Sequence, residues 1–165
     1  MTILGFGTTM LAQETPPTEV TEAVNLDEVV EAEDLEVGEP KILPDHPFYF
    51  LKNWGRVIRL FFAFRAENKA KLRLEFANEK IIEAEKLVEF KKNPELIEKV
   101  LESFQKDLEE IEKTNTDALK KFSEKLIQQQ LLHQKILQRL ESQVPPEFYQ
   151  KIKENRERHL ERFAT

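Results

Sequence analysis

A seven-residue repeat of small and large apolar side chains dominates the middle of the chain. Alanine alternates with a larger aliphatic residue along the predicted second helix, which covers about residues 66–91. This seam consists of Ala70, Leu74, Ala77, Ile81, Ala84 and Val88. Apolar residues spaced three and four apart form one stripe on a helix, and alanine lets a partner helix come close. The pattern therefore predicts helix–helix packing along this stripe and indicates no chemistry.

The next apolar stripe follows the dipeptide "NP" at residues 93–94, which ends one helix and starts another. Large apolar residues then recur at heptad spacing, and Asn115 takes one of these seam positions. We expect one continuous helix over residues 94–142. The alternative is a break near Asn115, with Thr116 or Asp117 capping a new helix.

Two further helices complete an all-α prediction. The first covers residues 46–62, with Asp45 as its expected N-cap and Pro47 in its first turn. The fourth covers residues 146–163, after the turn signal "VPPEF". Short connections that contain proline favour antiparallel neighbours. We therefore expect an elongated antiparallel helical hairpin or bundle with long, coiled-coil-like helices.

The first of these helices concentrates the aromatic residues of the chain. Seven of the fifteen aromatic residues of the chain lie between Phe48 and Phe64. On a helical wheel one broad side is apolar, whereas Lys52, Arg56 and Arg59 lie together on the opposite side. We expect the apolar side to close one end of the hairpin made by the second and third helices, as a core plug or an interface. The residues of this plug are Phe48, Phe50, Leu51, Trp54, Ile58 and Phe61.

Two other roles remain open for the amphipathic segment 48–64. A helix with a Trp/Phe side and a basic side is also typical of proteins that lie in a membrane interface. Arginine and aromatic residues together can contact nucleic acid. The body of the chain is only weakly basic, however, and export would separate it from nucleic acid. We therefore expect no nucleic-acid partner and keep a membrane surface as the alternative partner.

Charge is divided unevenly along the chain. No Lys or Arg precedes Lys41, whereas acidic residues recur from Glu14 to Glu39. A segment with many charges and few large apolar residues cannot bury enough surface to fold. We therefore expect residues 13–41 to be a disordered acidic linker, followed by a helical domain over residues 42–165.

The first twelve residues, "MTILGFGTTMLA", are typical of the end of a secretory signal sequence. They form a short run of apolar and small residues, and a polar, proline-rich segment follows at once. We interpret residues 1–12 as a signal-sequence remnant and expect an exported protein, periplasmic or associated with the cell envelope. No run in the sequence approaches the roughly 20 apolar residues that a membrane-spanning helix needs.

The residues that carry catalysis or bind metals are scarce. Cysteine is absent, and the three histidines show neither Glu-x-x-His nor His-Glu-x-x-His spacing. His133 is expected to form a tolerated polar layer or an interface group on the helix seam, and His159 to be a solvated surface residue. We predict no enzyme activity, no catalytic residue, no metal or cofactor site and no small-molecule substrate.

The block "LPDHPFYFLKNWGR" at residues 43–56 is followed by "IRLFFAF" and by the helix "KAKLRLEFANEKIIEAEKL". Together they resemble an uncharacterised bacterial family, the domain of unknown function 5667 type, whose members are mostly predicted to be exported or membrane-anchored. The resemblance covers about residues 42–143. It implies an all-helical envelope domain and supplies no catalytic residues. The chain departs from the family pattern at Arg65-Ala66, where relatives usually have Asp-Pro, so we expect a softer bend there.

These patterns predict a non-enzymatic, exported helical module that works by protein–protein contact, with another protein or by self-association. The alternative is a peripheral membrane-binding protein that uses the helix over residues 48–64. The exposure of Trp54 in the folded chain decides whether the aromatic residues form a core plug.

Overall fold

A computed structural model describes residues 29–114 and 116–163 of the chain. The described residues form a short 3₁₀ helix and α-helices without any strand, which confirms the all-α prediction for this part of the chain. The 3₁₀ helix is Ala32–Leu35, and the α-helices are α1 (Tyr49–Phe62), α2 (Ala66–Glu89), α3 (Pro94–Glu112), α4 (Thr116–Lys120), α5 (Ser123–Gln143) and α6 (Pro146–Phe163).

Helices α2 and α3 form an antiparallel hairpin at the centre of the molecule. At the end of α2, Lys91 adopts a left-handed conformation with a φ of 50°, and the Lys92 N–H donates to the Leu87 carbonyl at 2.9 Å. This geometry closes the helix by satisfying a carbonyl of its last turn. The Asn93 Oδ1 then caps α3 by accepting from the Glu95 N–H at 2.9 Å. The turn is thus built from backbone and side-chain caps.

The alanine seam of α2 lies inside the hydrophobic core. Each of its residues is at most 9% exposed, and three of the six are completely covered. The seam residues are Ala70, Leu74, Ala77, Ile81, Ala84 and Val88. Facing residues of α3 are equally buried and include Ile97, Leu101, Phe104, Leu108 and Ile111. The heptad pattern thus identifies the side of α2 that packs on its neighbours.

The predicted continuous helix over residues 94–142 is wrong, because the chain breaks after Glu112 and resumes as α4 and α5. At the break, the Thr114 hydroxyl donates to the Glu110 carbonyl at 3.2 Å. Such side-chain bonds to the backbone compete with helix continuation. The break lets α5 turn back and pack on α2. A straight helix over residues 94–142 would have left this surface of α2 uncovered. α6 then runs back along α5 and also contacts α3.

The start of α1 also differs from the sequence prediction, whereas its end at Phe62 agrees with it. The helix begins at Tyr49, not at residue 46, and no side chain caps it. Asp45, the expected cap, instead forms an ion pair with Lys92 at 2.9 Å. After α1 ends at Phe62, the Arg65 backbone is extended and α2 begins without a side-chain cap. The connection to α2 therefore lacks the capping group that an Asp-Pro pair would supply.

The predicted linker over residues 13–41 extends too far along the chain, since apolar side chains between residues 30 and 37 pack on the helices. Val30, Ala32 and Leu35 are at most 3% exposed and belong to the core cluster with α2 and α5. The Leu35 carbonyl accepts from the Asn78 amide at 2.9 Å. A few apolar side chains and this buried hydrogen bond therefore fix a short acidic segment. The remainder of that linker and the predicted signal remnant at residues 1–12 lie outside the described residues.

Replacing Leu35 with alanine tests whether the 3₁₀ helix is part of the core. We expect the free energy of unfolding to fall by about 2 kcal/mol, the lower end for a buried Leu-to-Ala change, because a terminal segment can relax locally. Urea unfolding followed by circular dichroism measures this. Val29→Ala is the matched control, since Val29 is 58% exposed. Equal stability of Leu35→Ala and the parent protein would contradict the packed position of the segment.

Candidate functional site: the outward face of helix α1

Helix α1 lies antiparallel to α2 and turns its basic side toward it. Three cations of α1 and three carboxylates of α2 form five ion pairs between the two helices. The residues meet in reversed order, as antiparallel neighbours require: Lys52–Glu83, Arg56–Glu79 and Arg59–Glu75 have N–O distances of 2.7, 2.6 and 2.7 Å. We call these six residues the ionic support of α1. They fix the rotation of α1 about its own axis.

Arg56 is the centre of the ionic support. It is the one buried residue of α1, all of whose residues are described. Its guanidinium contacts Glu79 at 2.6 Å and Glu83 at 2.8 Å, and it donates to the Tyr49 hydroxyl at 3.0 Å. The Tyr49 hydroxyl donates in turn to the second oxygen of Glu83 at 2.5 Å. Glu83 is completely buried, so its charge depends on these partners for compensation.

The electrostatics of the ionic support keep its members in fixed protonation states. Burial, followed by the charge of Glu83, raises the pKa of Tyr49 well above its usual value. Burial by itself would lower the pKa of Arg56, but the charge of Glu83 and the contacts with Tyr49 and Glu79 together outweigh burial and raise the pKa. Burial likewise opposes ionisation of Glu79, yet the contacts with Arg56 and Lys52 together lower its pKa. At neutral pH, Tyr49 is therefore a donor and Arg56 and Glu79 are charged.

The guanidinium groups of α1 also cover the aromatic ring of Phe76. Arg56 and Arg59 lie 5.9 and 5.2 Å from the centre of this ring, which is on α2. Phe76 itself is only 1% exposed. Cation–π contact at this distance is favourable. The inner side of α1 thus shields an apolar residue of α2 with arginines, without placing an aromatic side chain in the core.

The prediction of an aromatic core plug is wrong, because the side of α1 opposite the ionic support faces solvent. Trp54 is 69% exposed and Phe61 is 75% exposed. The predicted plug residues are about half exposed or more: Phe48, Phe50, Leu51, Trp54, Ile58 and Phe61. The physical reason is that three cations of α1 meet three carboxylates of α2, which turns the apolar side outward. We define the apolar face as Phe50, Leu51, Trp54, Val57, Ile58, Phe61 and Phe62.

The apolar face is large for a surface left to solvent. At 3.6 residues per turn it covers roughly 140° of the helix circumference, and no charged residue interrupts it. An aromatic side chain presents about 150–250 Å², so the exposed fractions correspond to an apolar area on the order of 800 Å². Monomeric proteins rarely expose a contiguous apolar patch of this size. The apolar face is therefore the candidate contact surface of the molecule.

A second polar cluster lies inside the core, around two histidines. The expectation that His159 lies at the surface is wrong: both it and His133 are completely buried. The side of α6 that carries Ile152, Asn155 and His159 packs against α3 and α5. Their rings lie 5.5 Å apart, and His133 contacts the Phe104 ring at 5.1 Å. His133 Nε2 donates to the Asn78 Oδ1 at 2.7 Å. No group of three potential metal ligands occurs among the described residues. The cluster is a hydrogen-bonded layer that joins α2, α3, α5 and α6.

The buried His133 predicts a loss of stability in mild acid. Burial, followed by the charge of His159, lowers the pKa of His133 well below 6.5 in the folded chain. The unfolded chain therefore binds the proton first, so stability is retained above pH 6.5 and falls as the pH drops below it. Urea unfolding at several pH values between neutral and mildly acidic measures how steeply the free energy of unfolding depends on pH. His133→Gln removes this titration, so we expect a weaker pH dependence. The same pH dependence in the parent protein and in His133→Gln would contradict the role of His133.

An open groove of about 890 Å³ lies beside the start of α5. Several lysines line it, but each has an acidic partner nearby. Lys71 and Lys121 both contact Glu67, at 2.7 and 3.1 Å, and Lys125 pairs with Glu36. These are surface ion pairs of small energetic value. The groove offers no concentrated unpaired charge, and the apolar face of α1 remains the stronger candidate.

The sequence prediction missed the acidic half of the ionic support. Glu75, Glu79 and Glu83 recur every four residues and form one stripe along α2. The cations of α1 recur at intervals of four and three, which is the complementary spacing. Matching these two stripes in antiparallel order would have indicated that α1 packs through its basic side.

The family model described as a domain of unknown function, DUF5667, matches residues 41–147. Comparison with curated proteins and with solved structures finds no match. The matched segment contains α1, the ionic support and the first two residues of α6, whereas the 3₁₀ helix and most of α6 lie outside it. Within the described part of the chain, no helix combines the length and the apolar character needed to cross a membrane.

Proposed function

We propose that this chain, which belongs to the DUF5667 family, is a non-enzymatic helical module that binds a partner through the apolar face of α1. One observation carries the proposal: seven large apolar side chains on one side of α1 are about half exposed or more. Removing such a surface from water is favourable, at about 25 cal/mol per Å². A partner that covers the face would recover this free energy.

The ionic support gives the apolar face a fixed orientation. Arg56 and Glu83 are buried and hydrogen-bonded to each other at 2.8 Å, so turning α1 inward would break a desolvated ion pair. A surface that is already ordered before binding loses less conformational entropy on association. This supports reading the face as a preorganised contact surface and not as an incompletely packed core.

The proposal includes export to the periplasm or the cell envelope. It is supported by the signal-like composition of residues 1–12 and by the resemblance of the α1 block to a family of predicted exported proteins. Fractionation of the native cells, followed by detection of the protein with an antibody, tests the location. We expect the protein in the periplasmic or envelope fraction. Recovery with the cytosolic proteins would contradict export.

Substituting the apolar face tests the proposal without disturbing the core. In Trp54→Ser/Phe61→Ser, we expect helicity to be retained and the free energy of unfolding of the isolated chain to change by about 0.5 kcal/mol or less per substitution, as for other surface changes. A core plug would instead lose about 3–5 kcal/mol for each aromatic residue. Denaturant unfolding at low protein concentration distinguishes these outcomes.

A photo-activated cross-linker placed at residue 61 or residue 127 then tests whether the face makes contacts in the cell. Ile127 is a suitable control because it is 58% exposed on α5. We expect a defined cross-linked product from residue 61 and none from residue 127. Equal or absent cross-linking at the two positions would contradict the assignment of α1 as the contact surface.

A membrane interface is the second candidate partner, favoured by the tryptophan and phenylalanines on an outward helix face. An interfacial helix usually also offers cations to anionic lipids. In this chain Lys52 and Arg56 contact Glu83, and Arg59 contacts Glu75. The cations of α1 are thus already compensated, which weakens the membrane alternative relative to a protein partner.

A further inference from the structure

We infer that the partner of the apolar face is a second copy of this chain, with two α1 helices packed against each other in a symmetric dimer. The inference rests on the proposed function, because it names the partner of the same surface. In a symmetric dimer the same patch of both copies meets itself, so the patch must be compatible with its own chemistry. The following features of α1 meet that condition.

The charge distribution favours a second copy over other partners. The apolar face contains no charged residue, so no like charges face each other where two copies meet. An anionic membrane attracts exposed cations, whereas the cations on the basic side of α1 are paired with carboxylates of α2. A neutral, apolar partner surface is the best match, and a second α1 supplies one.

The area of the apolar face matches a stable dimer. The face exposes an apolar area on the order of 800 Å², which is the area that each partner contributes to a standard-size interface. Homodimer interfaces are also more apolar than other protein–protein interfaces, with aromatic residues enriched at their centres. Trp54 and three phenylalanines occupy this face. Covering it with an equal face therefore buries the area of a standard-size interface.

Gly55 supplies an independent indication of a close helix contact. It lies in the middle of α1, where glycine costs about 1 kcal/mol relative to alanine. A Cβ atom added at Gly55 would meet nothing within 4 Å, so packing inside the chain does not explain the glycine. Leu51, Gly55 and Ile58 follow one another at intervals of four and three, the spacing of a coiled-coil seam. A second helix that crosses α1 at this point can come close because Gly55 has no side chain.

Sedimentation equilibrium of the full chain, over a wide range of protein concentration, tests the dimer. We expect the mass to rise from the 19.5 kDa of one chain to twice that value. Trp54→Ser/Phe61→Ser should weaken dimerisation by about 100-fold or more, since central aromatic residues dominate interface energies. Ile127→Ser/Leu131→Ser removes two side chains that are 58% and 53% exposed on α5. This control should dimerise like the parent chain.

Gly55→Leu tests dimerisation separately from the stability of the monomer. Leucine favours the helix, and its Cβ atom would meet no atom of the chain within 4 Å, so the monomer should be as stable as the parent protein or more stable. The dimer should nevertheless weaken, because the new side chain keeps the second helix away. Unchanged dimerisation of Gly55→Leu and of Trp54→Ser/Phe61→Ser would overturn the inference.

A parent chain that stays monomeric at every concentration also overturns the dimer. Flotation with neutral phosphatidylcholine vesicles then shows whether the proposed function fails with it. Vesicle binding that Trp54→Ser/Phe61→Ser abolishes would keep α1 as a contact surface and assign it to a membrane. A monomer that binds no vesicles and yields no cross-link from residue 61 would contradict both the dimer and the proposed function.

Discussion

Asp107→Ala is expected to lower the free energy of unfolding by about 3–5 kcal/mol, the range for removing one partner of a buried ion pair. Asp107 lies on α3 and is 1% exposed. It contacts Arg73 of α2 at 2.6 Å with one oxygen and Lys80 of α2 with the other. Without it, the buried Lys80 ammonium keeps the Ser103 carbonyl, at 3.3 Å, as its hydrogen-bond partner among the described residues. The loss is global because α2 and α3 form the central hairpin.

The protonation of Lys80 explains why the cost is not larger. Burial lowers the pKa of Lys80, while the charge of Asp107 opposes this shift. In Asp107→Ala the opposing charge is gone, so the pKa falls further and the lysine can lose its proton in place of remaining a buried, unpaired cation. The free energy of unfolding of Asp107→Ala should therefore move closer to that of the parent chain as the pH rises, which denaturant unfolding at several pH values measures.

Matched variants separate the buried pair from ordinary surface charge. Lys80→Met/Asp107→Leu replaces the two buried charges with apolar side chains of similar size and should recover much of the lost stability. Glu110→Ala removes an exposed pair with Lys113, whose N–O distance is 2.8 Å, and should change stability little. An Asp107→Ala protein as stable as Glu110→Ala would contradict the buried network.

Arg56→Ala is expected to release α1 from α2 while the α2–α3 hairpin stays folded. The substitution leaves the completely buried Glu83 with Lys52 as its remaining cation, at 2.7 Å. Uncompensated burial of a carboxylate costs about 3 kcal/mol or more. When α1 leaves, water reaches Glu83, so the cost cannot exceed the free energy that holds α1 in place. The effect is therefore local.

Amide hydrogen exchange measures this local release. In Arg56→Ala we expect faster exchange throughout α1 and unchanged protection in the core of α2 and α3. Arg59→Ala is the control, because Arg59 and Glu75 form a half-exposed pair that water can replace. Arg56→Met/Glu83→Leu should restore protection in α1. Global loss of protection in Arg56→Ala, or no change in α1, would contradict the role of the ionic support.

Periodicity predicted the parts of the fold that depend on one apolar stripe. The seam from Ala70 to Val88 and its counterpart on α3 could be read from spacing, because a helix places every third and fourth residue on one side. The same reasoning correctly separated the two sides of α1. It could not decide which side faces inward, since that depends on the acidic stripe of a different helix.

The apolar-inside rule failed at α1 for a specific electrostatic reason. Three cations of α1 and three carboxylates of α2 have complementary spacing, and one of the carboxylates, Glu83, is completely buried. If α1 were turned the other way, the buried Glu83 carboxylate would lose its ion pair with Arg56. That loss of free energy is larger than the cost of exposing an aromatic surface that a partner can cover. The reversed packing is thus a consequence of pairing, which composition and periodicity do not encode.

Local context explains two further differences between prediction and structure. The segment around Leu35 is acidic on average, yet its few apolar residues reach the core, and an average over the segment hides them. The break between α3 and α5 lies where the Thr114 side chain bonds to the backbone. The apolar register continues across it, so periodicity alone favoured one helix. At Leu35 a tertiary contact outweighs the local pattern, and at the break a side-chain bond to the backbone does.

Trp54 is the only tryptophan of the chain and lies on the apolar face, so its fluorescence tests the outward orientation of α1 most directly. At low protein concentration we expect the emission of a solvated indole and ready quenching by acrylamide. As the concentration rises, dimer formation should shift the emission to shorter wavelength and protect it from quenching. A protected, short-wavelength Trp54 at every dilution, in a chain that sediments as a monomer, would show that α1 faces inward and would contradict this orientation.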